Sequence, residues 1–162
     1  MANIYIFSEP IQSGRTTILE NWLPKVQGAA GFLTPDIYGQ RKLYDIASGD
    51  YFDFEVDPGD CPDHTRMGDR AFDNNIYRHG RQLLLNAVNN WPRWLIVDEV
   101  GPLEIDEDGG WEPALSEVIK LHYDSDNECD LMLVIRDTLL NEAIQHYRLH
   151  AAIVLDRKFF GK

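Results

Sequence analysis

Two short segments carry residue types that belong together in phosphate chemistry. The first reads Glu9-Pro10-Ile11-Gln12-Ser13-Gly14-Arg15-Thr16-Thr17. A loop that holds phosphates uses backbone N–H groups at a helix N-terminus, a cationic side chain and a hydroxyl for Mg²⁺. Gln12, Ser13, Gly14, Arg15, Thr16 and Thr17 offer such a set, with Arg15 for charge and Thr16 for the metal. The usual loop begins with glycine and carries lysine, whereas Glu9 and Arg15 stand in those places here. Arginine keeps the charge but is longer and planar. Glutamate adds a negative charge and resists backbone angles open to glycine. The second segment is Asp98-Glu99, directly after the apolar run Trp94–Val97. An acidic residue at such a strand end positions Mg²⁺, and its neighbour can accept a proton from an attacking water. Folding rarely requires this pair, because buried charge costs several kcal/mol unless compensated.

Both segments need elements that bring them to one edge. Asn3–Phe7 is a β-rich run and Ser8–Ser13 a loop. Gly14 then opens a helix with Ile18, Leu19, Trp22 and Leu23 on one face. Ala29–Leu33 is a second strand. Lys42–Ile46 and Tyr51–Val56 read as a hairpin around Ala47-Ser48-Gly49-Asp50. Asp57–Arg70, with its Pro, Gly and Asp, reads as an exposed loop. Asn74–Asn89 is helical, Trp94–Val97 a buried parallel strand, Asp98–Gly110 a loop and Trp111–His122 a helix. Leu131–Ile135, Thr138–Tyr147 and Ala151–Leu155 follow as strand, helix and strand. The alternation predicts an α/β fold over residues 1–162 as one domain. It has three α/β/α layers, a mainly parallel sheet and an added antiparallel hairpin. Ligands of such sheets bind beyond the carboxyl ends of the strands, where Gly14–Thr17 and Asp98–Glu99 would meet.

The 15 basic and 27 acidic residues give a net charge of −12, which argues against nucleic acid as a partner. Positive charge for a phosphate must therefore come from particular side chains. Arg41, Lys42 and Arg136 are candidates besides Arg15. Arg136 follows a buried strand and would emerge near Asp98. No long apolar run exists, so no membrane span is expected, and the N-terminus lacks a signal-peptide pattern. Two distant cysteines fit a reducing, cytoplasmic setting. Cys61 and His64 have the spacing of half a zinc site, but no second half follows. His79, His122, His146 and His150 form no recognisable cluster, and Ser8 and Ser13 lack triad partners. Trp22, Trp91, Trp94 and Trp111 read as core, with one of them able to flank a nucleobase.

The segment Val97-Asp98-Glu99-Val100-Gly101-Pro102-Leu103-Glu104, followed by Gly110-Trp111, resembles a known family. It is similar to the small bacterial and archaeal nucleoside-triphosphatases of the THEP1 type, called cancer-related nucleoside-triphosphatases in animals. Gly31-Phe32-Leu33-Thr34-Pro35 and Gln40–Ile46 with Gly49 match less specifically, and the resemblance spans about Ile4 to Tyr147. It implies a RecA-like P-loop fold and slow Mg²⁺-dependent hydrolysis of ATP, GTP and other nucleoside triphosphates. Carried over, Gly14, Arg15 and Thr16 would hold phosphate and metal. Asp98 would act through Mg²⁺, Glu99 as catalytic base and Arg136 near the reacting phosphate.

A nucleoside-triphosphate-binding protein with weak NTPase activity is the expected function. A non-catalytic relative acting as a binding or interaction module is one rival. A nucleotide-dependent kinase or transferase is the other, and only Asp57–Arg70 offers material for a lid or acceptor site. The oligomeric state is not encoded in any of these motifs.

Overall fold

A computed structural model of the chain describes residues 2–10 and 14–161. In it the apolar runs assemble into one mixed sheet with helices on both faces. β1 (Ile4–Glu9) leads to α1 (Arg15–Trp22), and β2 (Ala29–Leu33) follows. β3 (Asp36–Ile37), β4 (Gln40–Asp45) and β5 (Tyr51–Asp53) form an antiparallel extension. β6 (Glu55–Val56), β7 (His64–Met67) and β8 (Arg70–Asp73) make a separate small sheet. Then come α2 (Asn74–Ala87), β9 (Trp94–Val100), α3 (Pro102–Glu107) and α4 (Ala114–Asp124). The chain continues through β10 (Asp130–Arg136), α5 (Leu140–Tyr147), β11 (Ile153–Leu155) and α6 (Arg157–Phe160).

The main sheet runs β11-β1-β10-β9-β2-β4-β3, with β5 on β4. Its first five strands are parallel. β4 joins β2 antiparallel through Phe32–Asp45 and Leu33–Tyr44. One strand, β10, therefore separates β1 from β9, the arrangement of a RecA-like core. Alternation along β10 explains the three layers. Leu131, Leu133 and Ile135 pack with Ile6, Val97 and Leu115 on one face. Met132 and Val134 pack with Phe7, Leu19 and Trp22 on the other. Both faces are covered, so the strand reads as an unbroken apolar run.

The structure corrects several local expectations. Asp57–Arg70 is not simply an exposed loop, because β7 and the first residue of β8 lie within it. Short edge strands with polar faces carry little hydrophobic pattern. Tyr51–Val56 is not one strand. It breaks at Phe54, which is buried; Tyr51–Asp53 pairs with β4 and Glu55–Val56 with β8. Asp98–Gly110 is not a loop either, since β9 runs on to Val100 and α3 follows. The helix expected from Trp111 starts at Ala114, and the last strand starts at Ile153.

Candidate functional site

The loop after β1 delivers Gly14 as the residue that caps α1. Its φ of 86° lies in the left-handed region that favours glycine, and its carbonyl accepts the Ile18 N–H at 2.9 Å. Arg15 is only 7% exposed, Thr16 is half-buried and Thr17 is exposed. Gln12 and Ser13 lie outside the described residues. Glu9, the departure at the loop's entrance, does not present a bare carboxylate. Arg157 of α6 donates to its Oε1 through Nε at 2.8 Å, with Nη2 at 2.6 Å.

The end of β9 is re-aimed by a bulge. Val97 pairs with Leu133 and Val100 with Ile135, so β9 carries one extra residue at Asp98–Glu99. Glu99 absorbs it with a φ of 62°, an unusual value for a residue with a side chain. As a result both carboxylates serve one site. Asp98 is 1% exposed. Its Oδ2 accepts the Thr16 hydroxyl at 3.0 Å, the Thr34 N–H at 2.9 Å and the Thr34 hydroxyl at 3.3 Å. Burial, followed by the neighbouring Glu99 charge, raises its pKa against the opposing pull of Thr34, Thr16 and Arg15. Asp98 Oδ1 is buried with no hydrogen-bond partner. An unpaired buried acceptor is costly, so this oxygen is fitted for a cation or its water.

That is the chemistry expected of a Mg²⁺ site completed by its substrate. Magnesium is held by one or two carboxylates together with waters and substrate phosphates, not by a protein cage. Among the described residues no group of three or more His, Cys, Asp or Glu gathers as a metal cluster. Thr16 Oγ1 and Asp98 Oδ1 are the donors that fit. His64 Nδ1 lies 2.7 Å from the Cys61 carbonyl, and among the described residues the pair joins no group of three or more His, Cys, Asp or Glu that could hold a metal.

Glu99 is held from both ends. Arg41 Nη1 contacts its Oε1 at 2.9 Å and donates to the Thr34 carbonyl at 3.0 Å. Arg15 Nη2 lies 3.8 Å from the same carboxylate oxygen. Burial works against the Arg41 charge, but Glu99, through its field and hydrogen bond, together with the Asp98 and Asp36 charges, outweighs it and raises the Arg41 pKa. At the backbone, the Trp111 indole N–H donates to the Glu99 carbonyl at 3.3 Å. Trp111 is itself fixed by Glu104. The two Glu104 oxygens accept the Gly101 N–H at 2.9 Å and the Trp111 N–H at 3.1 Å. Gly110 makes room for this brace: its φ is 60°, and a Cβ there would sit 1.8 Å from Glu104 Oε2. Burial pushes the Glu104 carboxyl up to about 7 although both N–H bonds favour the anion.

These residues line one cleft of about 560 Å³. Gly14, Arg15, Thr16, Thr17, Glu99 and Arg136 all open onto it, and Asp98 lies beneath, bonded to Thr16. Arg136 ends β10, in register with Glu9, and among the described residues it makes no ion pair with Asp98 or Glu99. Three contributors escape sequence reasoning. Thr34 follows β2 and gives no signal beyond its place at a strand end. Glu104 stands in the family-like segment without an assigned role. Trp111 is core, as read, yet it also touches the cleft and braces Glu99.

Two solved structures share this fold. THEP1 from the hyperthermophile Aquifex aeolicus superposes with a TM-score of 0.67 at 16% identity, over 96% of this chain and 89% of that one. The chain has the THEP1 fold. A human cancer-related nucleoside triphosphatase agrees, with a TM-score of 0.66 at 14% identity, over 99% of this chain and 94% of that one. No family model matches the sequence, and no curated protein matches it. The likeness to the THEP1 type read from Val97–Glu104 is thus matched at the level of the fold, over nearly the whole chain.

Proposed function

We propose that this chain binds a nucleoside triphosphate, ATP or GTP, together with Mg²⁺ in the cleft and hydrolyses it slowly. One observation carries the reading. The Thr16 hydroxyl at the start of α1 reaches Asp98 at the end of β9 at 3.0 Å, and the other Asp98 oxygen is left open. Two residues 82 positions apart thus form a metal-and-phosphate corner. Arg15, Arg41 and Arg136 supply positive charge to the cleft of a protein whose net charge is −12. Thr16 and Asp98 would hold Mg²⁺, which would supply positive charge against that developing on the phosphates.

The protein's own residues do the rest. The N–H groups that open α1 face the phosphates, and Arg15 neutralises them. Glu99 orients a water and accepts its proton. Arg136 sits where charge on the γ-phosphate can be stabilised. Arginine in the place of lysine, and a base already engaged by Arg41 and Arg15, make turnover slow. The net charge of −12 argues against nucleic acid as a partner. No helix among the described residues is long and apolar enough to cross a membrane. We place the activity in the cytoplasm on the strength of the unpaired cysteines.

Equilibrium titration with labelled ATP and GTP, with and without Mg²⁺, tests the reading beside Glu99→Gln. Metal-dependent binding should persist in the variant, while turnover falls on the order of 10²-fold. Unchanged turnover would remove Glu99 as base, and failure of the native protein to bind either nucleotide would remove the reading.

A further inference from the structure

A circuit of hydrogen bonds closes around the bulge that carries Glu99. The Trp111 indole N–H donates to the Glu99 carbonyl at 3.3 Å, and the Trp111 backbone N–H donates to Glu104 Oε2 at 3.1 Å. Glu104 Oε1 takes the Gly101 N–H at 2.9 Å, and Val100 joins Gly101 back to Glu99. Both Glu104 and Trp111 are buried. One of these bonds has an ordinary explanation. Gly101 caps α3 and Glu104 is its third residue, so the bond to Gly101 is half of a capping box. The bond to Trp111 does nothing for α3. It crosses seven residues and fixes the indole that meets the Glu99 carbonyl.

The surrounding fold is cut to fit this circuit. A Cβ on Gly80 of α2 would lie 2.5 Å from the Trp111 indole, and one on Gly110 would meet Glu104. Phe32 and Tyr77 pack on the indole, with centroids at 4.4 and 4.8 Å. The precision matters because Glu99 has a φ of 62°. A residue with a side chain keeps such a backbone only when its surroundings over-determine it. A change of φ there redirects the Cα–Cβ bond, and with it the carboxylate that meets Arg41 and Arg15.

We infer that Glu104 is a positioning residue for Glu99: its carboxylate closes the circuit that keeps Glu99 left-handed, and taking up a proton opens it. The inference rests on the reading of Glu99 as the base in the cleft. An ionised carboxylate accepts both N–H groups at once. The acid carries a hydrogen on one oxygen, which becomes the weaker acceptor, and the bond made there loosens. Burial pushes the Glu104 carboxyl up to about 7, so the change falls at neutral pH. The Glu112 carboxylate faces it from the turn before α4 and favours the proton further. Tyr77 of α2 and Tyr147 of α5 feel the Glu104 charge, and Glu99 and Asp108 are the other carboxylates acting on those two rings. Arg81 of α2 donates to the neighbouring Gly110 carbonyl at 2.6 Å. Glu104 acts on the reaction through Trp111 and Gly101. The working state is thus the ionised one, which burial makes costly.

The test uses the intact chain with isotope-labelled tryptophan. The Trp111 indole N–H resonance, assigned by its loss in Trp111→Phe, is followed between about pH 5.5 and 8.5 without nucleotide. It should move with a midpoint near 7 in the native protein. It should stay fixed in Glu104→Gln, whose amide offers one acceptor oxygen and so resembles the protonated acid. In Mg-ATP turnover, Glu104→Gln should lower kcat about tenfold and leave the ATP dissociation constant within about twofold. Native kcat should rise through pH 7 by a similar factor, and Glu104→Gln should lack that rise. Adding Trp111→Phe to Glu104→Gln should cost no more than the larger single change, because both open one circuit. An indole resonance that ignores pH in the native protein overturns the proton-driven opening, whether or not the variants fold. Native kcat and pH profile in a folded Glu104→Gln overturn the positioning role. A titrating resonance in a native protein that hydrolyses no nucleotide places the failure in the hydrolase reading, and the role of Glu104 falls with it.

Discussion

The Arg41 guanidinium holds the Glu99 carboxylate at 2.9 Å, across the mouth of the cleft and from a strand that belongs to the antiparallel extension. The same guanidinium donates to the Thr34 carbonyl, so its place is fixed from two sides. A phosphate arriving over Gly14–Thr17 would compete with Glu99 for this cation and for Arg15. Arg41→Gln should therefore weaken Mg-nucleotide binding about tenfold, in keeping with a charge-assisted hydrogen bond of roughly 1.5–3 kcal/mol. Arg41→Lys should recover only part of it, because a point charge does not replace the planar fork. Calorimetric titration of the two variants is the measurement.

A second expectation concerns the metal corner. Thr16→Ala removes the hydroxyl that meets Asp98 at 3.0 Å, whereas Thr16→Ser keeps it. The alanine variant should need at least tenfold more Mg²⁺ for half-maximal nucleotide binding, and the serine variant should stay near the native value. Asp98→Asn should behave like the alanine variant or worse. A Mg²⁺ titration at fixed nucleotide separates these cases. Equal metal dependence in all three would dissociate Thr16 and Asp98 from the metal.

Much of the architecture was legible because burial leaves a strong mark. Leu131–Ile135 and Trp94–Val97 read as central strands since both of their faces are covered. Asp98-Glu99 stood out because two carboxylates directly after such a run have no packing role. The bulge that turns both toward the cleft was not legible, as one extra residue against a neighbouring strand leaves no local pattern. Phe54 looked like an ordinary strand residue, yet it is the point at which the chain changes sheets. Glu104 and Trp111 became partners only through a turn whose shape depends on Gly110. Thr34 and Asp98 are 64 residues apart, and their bond depends on β2 lying beside β9.

Glu104 gives the protein a pH signature. Its carboxyl titrates at about 7 when folded, from an ordinary value of 4.5. The groups around it are the Gly101 and Trp111 N–H donors, the Glu112 carboxylate and the Tyr77 and Tyr147 rings. The folded state therefore binds the proton more tightly than the unfolded state. This group's contribution to stability is fully present below pH 4.5 and is lost as pH rises through about 7. The loss amounts to roughly 3 kcal/mol, or about 5–10 °C in Tm. Thermal denaturation between about pH 5 and pH 8 should show this decline in the native protein and a flatter profile in Glu104→Gln.

Glu9 invites a reversal by glycine, but its carboxylate is already matched by Arg157. Glu9→Gly alone should change nucleotide affinity less than threefold. Arg157→Ala, which uncovers the carboxylate beside the phosphate loop, should weaken affinity severalfold, and adding Glu9→Gly should restore it. Glu9→Gly with Arg15→Lys tests whether the loop's other departure limits turnover. Nucleotide titrations across this set of variants distinguish the contributions of the two positions.

The Glu9–Arg157 clasp also couples two distant positions to substitution. The two positions are 148 residues apart, yet the fitness of a change at one depends on the state of the other. An arginine at position 157 should be harmless in a variant that carries glycine at position 9. A glutamate at position 9 without Arg157 should repel an anionic ligand. Such epistasis is one-sided: with both residues in place Glu9 can change alone, whereas Arg157 cannot be lost while Glu9 remains. A saturation mutagenesis library crossing the two positions would show it as a missing corner, with acidic residues at position 9 tolerated only beside a basic residue at position 157.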